Sequence, residues 1–226
     1  MAMISVKNFS KKYGEKVVYD NFNLDIEENK ILVILGESGS GKTTLLNAMA
    51  NLTDYEGEIF GVNPPVSMVF QKDFLVPNLT VEQNLKLVCK NKDVLKALKS
   101  VGMEDSAKSY PKSLSAGMSR RISILRALIF DSALLLMDEP TNSLDIALKN
   151  KIYDILKNLK DEYKKTVIVV THDIDEALSL AERVVVLKGG ELIYSYNFKS
   201  SLKERDIASE ECNNVRREVI SKLLGV

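Results

Sequence analysis

One short string constrains this chain more than any other. Gly36-Glu37-Ser38-Gly39-Ser40-Gly41-Lys42-Thr43 fits the pattern G-x-x-x-x-G-K-[ST], directly behind the apolar run Ile31–Leu35. By average residue usage such a string arises by chance in roughly one unrelated chain of this length per hundred, so its setting must decide. A buried strand before it and a helix opening near Lys42 are the setting in which backbone N–H groups close around phosphate oxygens at a helix N-terminus. There Lys42 would reach the β- and γ-phosphates of a nucleotide and Thr43 would ligate Mg2+. The alternative is a glycine-rich strand-to-helix turn without a ligand.

The surrounding pattern suits a parallel sheet. Ile31–Leu35, Ala133–Met137 and Thr166–Val170 are continuous apolar runs of strand length, as expected for strands covered by helices on both faces. Phe22, Leu24 and Ile26 instead alternate with polar residues, the period of a half-buried antiparallel strand. Ile152, Ile155, Leu156, Leu159 and Tyr163 form one helical face. Thr80–Gln83 and Asp173–Glu176 fit capping boxes at two helix starts. Between Gln71 and Asp131 no good buried strand appears. Thr80–Cys89, Asp93–Val101 and a segment from Ser115 predict a helical lobe set into the sheet. Leu192–Tyr196 predicts a last strand, and Val215–Leu224 an amphipathic helix in a polar tail.

Two further features belong beside the phosphate cradle. Leu134-Leu-Leu-Met-Asp138-Glu139-Pro140 is an apolar strand ending in adjacent carboxylates. Asp138 would hold the Mg2+ shell. Strand alternation would turn Glu139 to the other face, free to polarise an attacking water, a role that contributes about 10²–10⁴-fold. His172 is the single histidine of the chain and follows Val167–Val170. It therefore falls at the sheet edge where parallel α/β folds bind ligands, within reach of a γ-phosphate.

Lys plus Arg and Asp plus Glu number 31 each in 226 residues, and 45% of residues are hydrophobic. That balance excludes disorder and gives no case for nucleic-acid binding. Cys89 and Cys212 have no metal-type spacing and are expected to be reduced thiols. No apolar run is long enough to span a membrane. The first residues, broken by Lys7, Asn8, Ser10, Lys11 and Lys12, are not expected to form a secretory signal.

Leu114-Ser115-Ala116-Gly117-Met118 lies between the cradle and the acidic strand. With it the chain resembles the nucleotide-binding subunits of ATP-binding cassette (ABC) transporters over nearly its whole length. In order, Tyr13 matches the adenine-stacking aromatic, Gly36–Thr44 the Walker A loop and Gln71 the Q-loop glutamine. Leu114–Met118 matches the signature, Met137–Pro140 Walker B, Ser143-Leu144-Asp145 the D-loop and His172 the switch histidine. The resemblance implies a P-loop, RecA-like α/β fold: a mostly parallel core over about 1–71 and 132–198, an antiparallel β subdomain, a helical lobe over about 72–131 and a tail over about 199–226. It implies an ATPase using ATP and Mg2+, with Lys42, Gln71, Glu139 and His172 catalytic and Thr43, Gln71 and Asp138 at the metal. Two copies would meet head to tail, each ATP lying between one copy's cradle and Ser115, Ala116, Gly117 and Asp145 of the other. An integral membrane permease, reached through Gln71 and the apolar Phe74, Leu75 and Val76, would hold the subunit on the cytoplasmic face of the membrane. Some systems of this kind add a solute-binding protein.

Two residues depart from the family's Leu-Ser-Gly-Gly-Gln. Ala116 replaces a glycine and requires φ below zero, while Met118 cannot donate the hydrogen bond a glutamine could. Both bear on the affinity of the closed dimer. Met118, the run Thr171–Leu178 and the tail with Arg205-Asp206 and Arg216–Ile220 are similar to importers of nitrate, sulfonate and taurine. Asp138–Asp145 is more similar to the lipoprotein-releasing and efflux type. A DNA-repair ATPase would need a long coiled coil between Gln71 and Leu114, a ribosomal one a second cassette, and a small-molecule kinase would have no reason to carry the signature.

Overall fold

The apolar runs become the central strands of the computed structural model, which describes residues 3–89, 93–142 and 144–225. Ser143 of the expected D-loop lies outside the described residues. β3 (Ile31–Gly36), β6 (Leu134–Asp138) and β7 (Thr166–Thr171) lie side by side with β5 (Val66–Val69), β8 (Arg183–Lys188) and β9 (Glu191–Asn197). Their order is β5-β6-β7-β3-β8-β9. Every pairing is parallel except β8 with β9. A second sheet, β2-β1-β4, is antiparallel and built from β1 (Met3–Tyr13), β2 (Lys16–Glu27) and β4 (Glu56–Phe60).

Side-chain alternation sorts the central strands into two cores. Leu32, Ile34, Leu134, Leu136, Ile168 and Val170 face the antiparallel sheet and α1 (Lys42–Met49). Their neighbours Ile31, Val33, Leu35, Leu135, Met137, Val167 and Val169 face the remaining helices. Burying each such side chain contributes about 1.5–3 kcal/mol before entropy is counted, and neither face could be stripped of its cover without exposing a continuous apolar row.

The helical segment holds α2 (Val81–Lys86), α3 (Val94–Ser100) and α4 (Ala116–Ile129). Thr80 makes the full capping box with Gln83, 3.2 Å and 2.8 Å for the two bonds. Asp173 makes only half of one. It caps α6 (Ile174–Leu180) through the N–H groups of Asp175 and Glu176, but Glu176 turns inward, 1% exposed, and accepts from Thr141 Oγ1 at 2.7 Å. The reciprocal bond is lost because a better-buried partner is available. α5 (Ile146–Glu162) buries Ile152, Ile155, Leu156 and Leu159 as its periodicity predicts, with Tyr163 at its C-cap.

The tail folds back on the core. α7 (Glu210–Leu224) buries Cys212, Val215 and Val219, and the Arg205 guanidinium stacks 3.9 Å from the Phe198 ring centroid. Cys89 and Cys212 are buried and form no disulfide. No helix among the described residues is long and apolar enough to cross a membrane.

Candidate nucleotide site

The glycine-rich loop leaves the buried end of β3 and turns into α1. Gly39 and Gly41 take φ of 83° and 100°, values that favour glycine, and Gly41 is the N-cap of α1. At Gly41 there is also no room: an added Cβ would lie 2.7 Å from the Tyr19 ring. Lys42 is 5% exposed and its Nζ donates to the Gly36 and Glu37 carbonyls, both at 2.7 Å. Burial pulls this ammonium below its ordinary range, against the opposing fields of Glu139, Asp138 and Glu37.

The acidic strand ends beside it. Thr43 Oγ1 donates to both Asp138 carboxylate oxygens at 3.1 Å. Burial pushes the Asp138 carboxyl up, while the Thr43 hydroxyl and the Lys42 and Arg120 charges pull it down and Glu139 adds to the rise. Glu139 does not follow strand alternation. β6 stops at Asp138, and Glu139 takes φ 45°, so the turn carries its carboxylate to the same edge as the loop rather than to the opposite face. Its Oε1 accepts from His172 Nδ1 at 3.0 Å and its Oε2 from Asn142 Nδ2 at 2.9 Å. An ionised carboxylate only accepts, so the imidazole donates through Nδ1.

Tyr13, Ser38, Gly39, Gly41, Lys42, Thr43, Thr44 and Glu139 line one depression of about 250 Å3. Tyr13 is 51% exposed at its rim, with Lys11 Nζ 4.9 Å from the ring centroid. Ser40, buried in the loop, keeps its Oγ without a hydrogen-bond partner. These observations fit a nucleotide with Mg2+. The loop offers a cradle that side chains at Gly39 or Gly41 would strain, an orphaned hydroxyl and a buried cation. Thr43 with Asp138 is an all-oxygen pair of the kind Mg2+ takes when substrate phosphates complete its shell. No cluster of three His, Cys, Asp or Glu side chains suited to a metal occurs among the described residues, so such an ion would depend on those phosphates.

Other expected site residues lie elsewhere. Gln71 is exposed beyond the end of β5 and does not line the depression. Ser115 N-caps α4, its Oγ accepting from Met118 N at 3.3 Å. Ala116 is the first residue of that helix, so its φ is negative as its side chain requires. Gly117 packs against Leu148, 2.1 Å from where a Cβ would sit. Asp145 caps α5 through Leu148 N. Two residues that bear on the site are absent from the sequence reading. Asn142 gives no signal in a polar turn. Arg120 does give one, since it shares a helical face with Gly117 and Ile124, both buried.

The ABC transporter family matches residues 19–142, more than half of the chain. The aliphatic sulfonates import ATP-binding protein SsuB 1 of Paracoccus denitrificans is 39% identical over 83% of this chain and 80% of its own length. SsuB 2 of Frankia alni is 37% identical over 100% of this chain and 91% of its own. The dimeric structure of MJ0796, a bacterial ABC transporter cassette, matches with a TM-score of 0.74 and 34% identity over 88% of this chain and all of that one. A post-hydrolysis state of the same cassette bound to ADP and Pi matches with a TM-score of 0.72 and 32% identity. On the loop, the acidic strand end and these likenesses together, the chain belongs to the ABC transporter ATP-binding family and is an ATPase that works on ATP with Mg2+.

Proposed function

We propose that two copies of this chain close around two ATPs and drive the import of a small organic anion, of aliphatic sulfonate type, through a separate membrane permease. The observation that carries the dimer is the split of the site: Tyr13, Lys42, Thr43 and Glu139 line one depression, and Ser115, Ala116, Gly117 and Asp145 do not. A second copy related by a two-fold axis supplies them, because an isologous contact brings each α4 N-terminus to the partner's depression. The sulfonate reading rests on relatives 37% to 40% identical that are named for sulfonate import.

The steps follow from the side chains. Incoming phosphates draw the Lys42 ammonium away from the Gly36 and Glu37 carbonyls. Thr43 and Asp138 would hold Mg2+, which when bound supplies positive charge against the phosphates. Glu139 takes the proton of the attacking water, while His172 and Asn142 fix its two oxygens. Tyr13 stacks the base at the rim. Gln71, after β5, relays closure to the permease, which docks on the exposed Phe70, Phe74 and Val76 beside it. Leu75 packs into the core instead.

Glu139→Gln tests the reading. Blocked hydrolysis should trap the closed pair, so light scattering with Mg-ATP should give twice the 25.3 kDa of one chain. A monomer that still binds ATP would overturn closure by the isolated subunit. With the permease present, an added alkanesulfonate should raise ATP turnover, and indifference to it would overturn the solute.

A further inference from the structure

Arg120 lies on the signature helix and is 4% exposed. From there its guanidinium reaches two further functional segments at once. Nε donates to the Pro140 carbonyl at 2.5 Å and Nη2 to the Glu139 carbonyl at 3.2 Å. Nη1 donates to the Phe70 carbonyl at 2.6 Å and to Asp73 Oδ1 at 2.9 Å. On one side of the fork stands the turn that aims Glu139, and on the other the loop that carries Gln71.

A buried guanidinium is expensive to desolvate and is retained where its planar fork fixes several acceptors together. Only one of these acceptors is charged, and the other three are main-chain carbonyls of the site's own loops. The Glu139 turn also needs support, because φ 45° is unfavourable for a side chain with a Cβ. Its Glu139 and Pro140 carbonyls both meet Arg120. Arg126, nearly two turns further along α4, provides the contrast, since it holds the Phe74 carbonyl and no part of that turn.

We infer that Arg120 is a positioning residue: it holds the Glu139 turn in its left-handed conformation and ties that turn, the Gln71 loop and the signature helix into one unit. A movement of α4 on closure, or of the Gln71 loop against the permease, then reaches the Glu139 carboxylate through one rigid group. Lysine at this position keeps a charge, but its single nitrogen cannot bridge both sides of the fork. This inference rests on the assignment of Glu139 above.

The test uses the full chain with Arg120→Lys, Arg120→Met, Glu139→Gln and the double variant Arg120→Lys/Glu139→Gln. ATP affinity is read with a fluorescent ATP analogue, turnover by steady-state and single-turnover phosphate release. Arg120→Lys should leave analogue affinity within about twofold and lower kcat by about 10–100-fold, the effect of a slightly misplaced catalytic group. In the Glu139→Gln background the same change should cost almost nothing, because residues acting through one group are not additive. An unchanged kcat, a parallel loss of analogue affinity, or an equal loss in both backgrounds would overturn it. Should Arg120→Met fail to fold, Arg120→Lys, which keeps the buried charge, decides. If Glu139→Gln itself leaves turnover intact, the assignment of Glu139 fails and this inference with it. If Glu139→Gln abolishes turnover while Arg120→Lys does not lower it, only the inference fails.

Discussion

The loop edge and the signature end of α4 are both helix N-termini, yet they are finished to different degrees. At the loop edge the polar side chains answer one another: Lys42 to two carbonyls, Thr43 to Asp138, Glu139 to His172 and Asn142. At the signature end Ser115 and Ala116 are exposed. Ser115 Oγ accepts from its own helix, and neither the Ala116 nor the Met118 side chain carries a donor. On the proposed function, one half of the nucleotide machinery is completed by folding, whereas the other is completed only by association. Variants at the first should therefore act on the isolated chain, and variants at the second only on the pair.

Lys42→Ala should have the largest effect. It removes charge-assisted bonds to phosphate worth about 3 kcal/mol, roughly 100-fold in affinity, and titration of monomer with a fluorescent ATP analogue would register it. An unchanged affinity would break the comparison, because binding would not then be built at the loop edge. Glu176→Ala should come next. The Glu176 carboxyl is raised above its ordinary range first by burial, and it accepts from Thr141 and Thr171, the residues flanking Glu139 and His172. Its loss leaves two hydroxyls and a cavity, a destabilisation of about 2 kcal/mol read by urea unfolding. Met118→Gln should be smallest and opposite in sign. One restored neutral bond of about 1 kcal/mol would tighten ATP-driven pairing of the Glu139→Gln chain about fivefold without altering monomer affinity. A change in the monomer instead would erase the distinction between the two ends.

Legibility in the sequence divided along a related line. The cradle, Asp138, Glu139 and His172 could be read because each sits in a local string whose chemistry depends on spacing. The strands that carry them were legible as apolar runs. β4 and β5 were not: β4 has Gly57 in its interior and β5 is a four-residue edge. The Val184–Leu187 run of β8 is too short for periodicity to separate strand from helix. Arg120 and Glu176 were hidden for another reason. The partners of Arg120 are 19 to 50 residues away in sequence and Thr141 is 35 from Glu176, mostly backbone carbonyls or hydroxyls that no motif records. What the sequence does offer is a charged residue on a buried helical face, and at Arg120 and Glu176 alike that mismatch marks a clamp.

His172 has a consequence of a different kind. As the sole imidazole in the chain, bonded to the Glu139 carboxylate and 56% exposed at its side chain, it gives the molecule a single histidine Cε1–H resonance in a proton NMR spectrum. That resonance needs no isotopic labelling scheme or mutagenesis to assign. Its shift and linewidth follow the geometry around the Glu139 carboxylate directly, so nucleotide loading, pairing and permease contact can each be watched from one atom in the centre of the site.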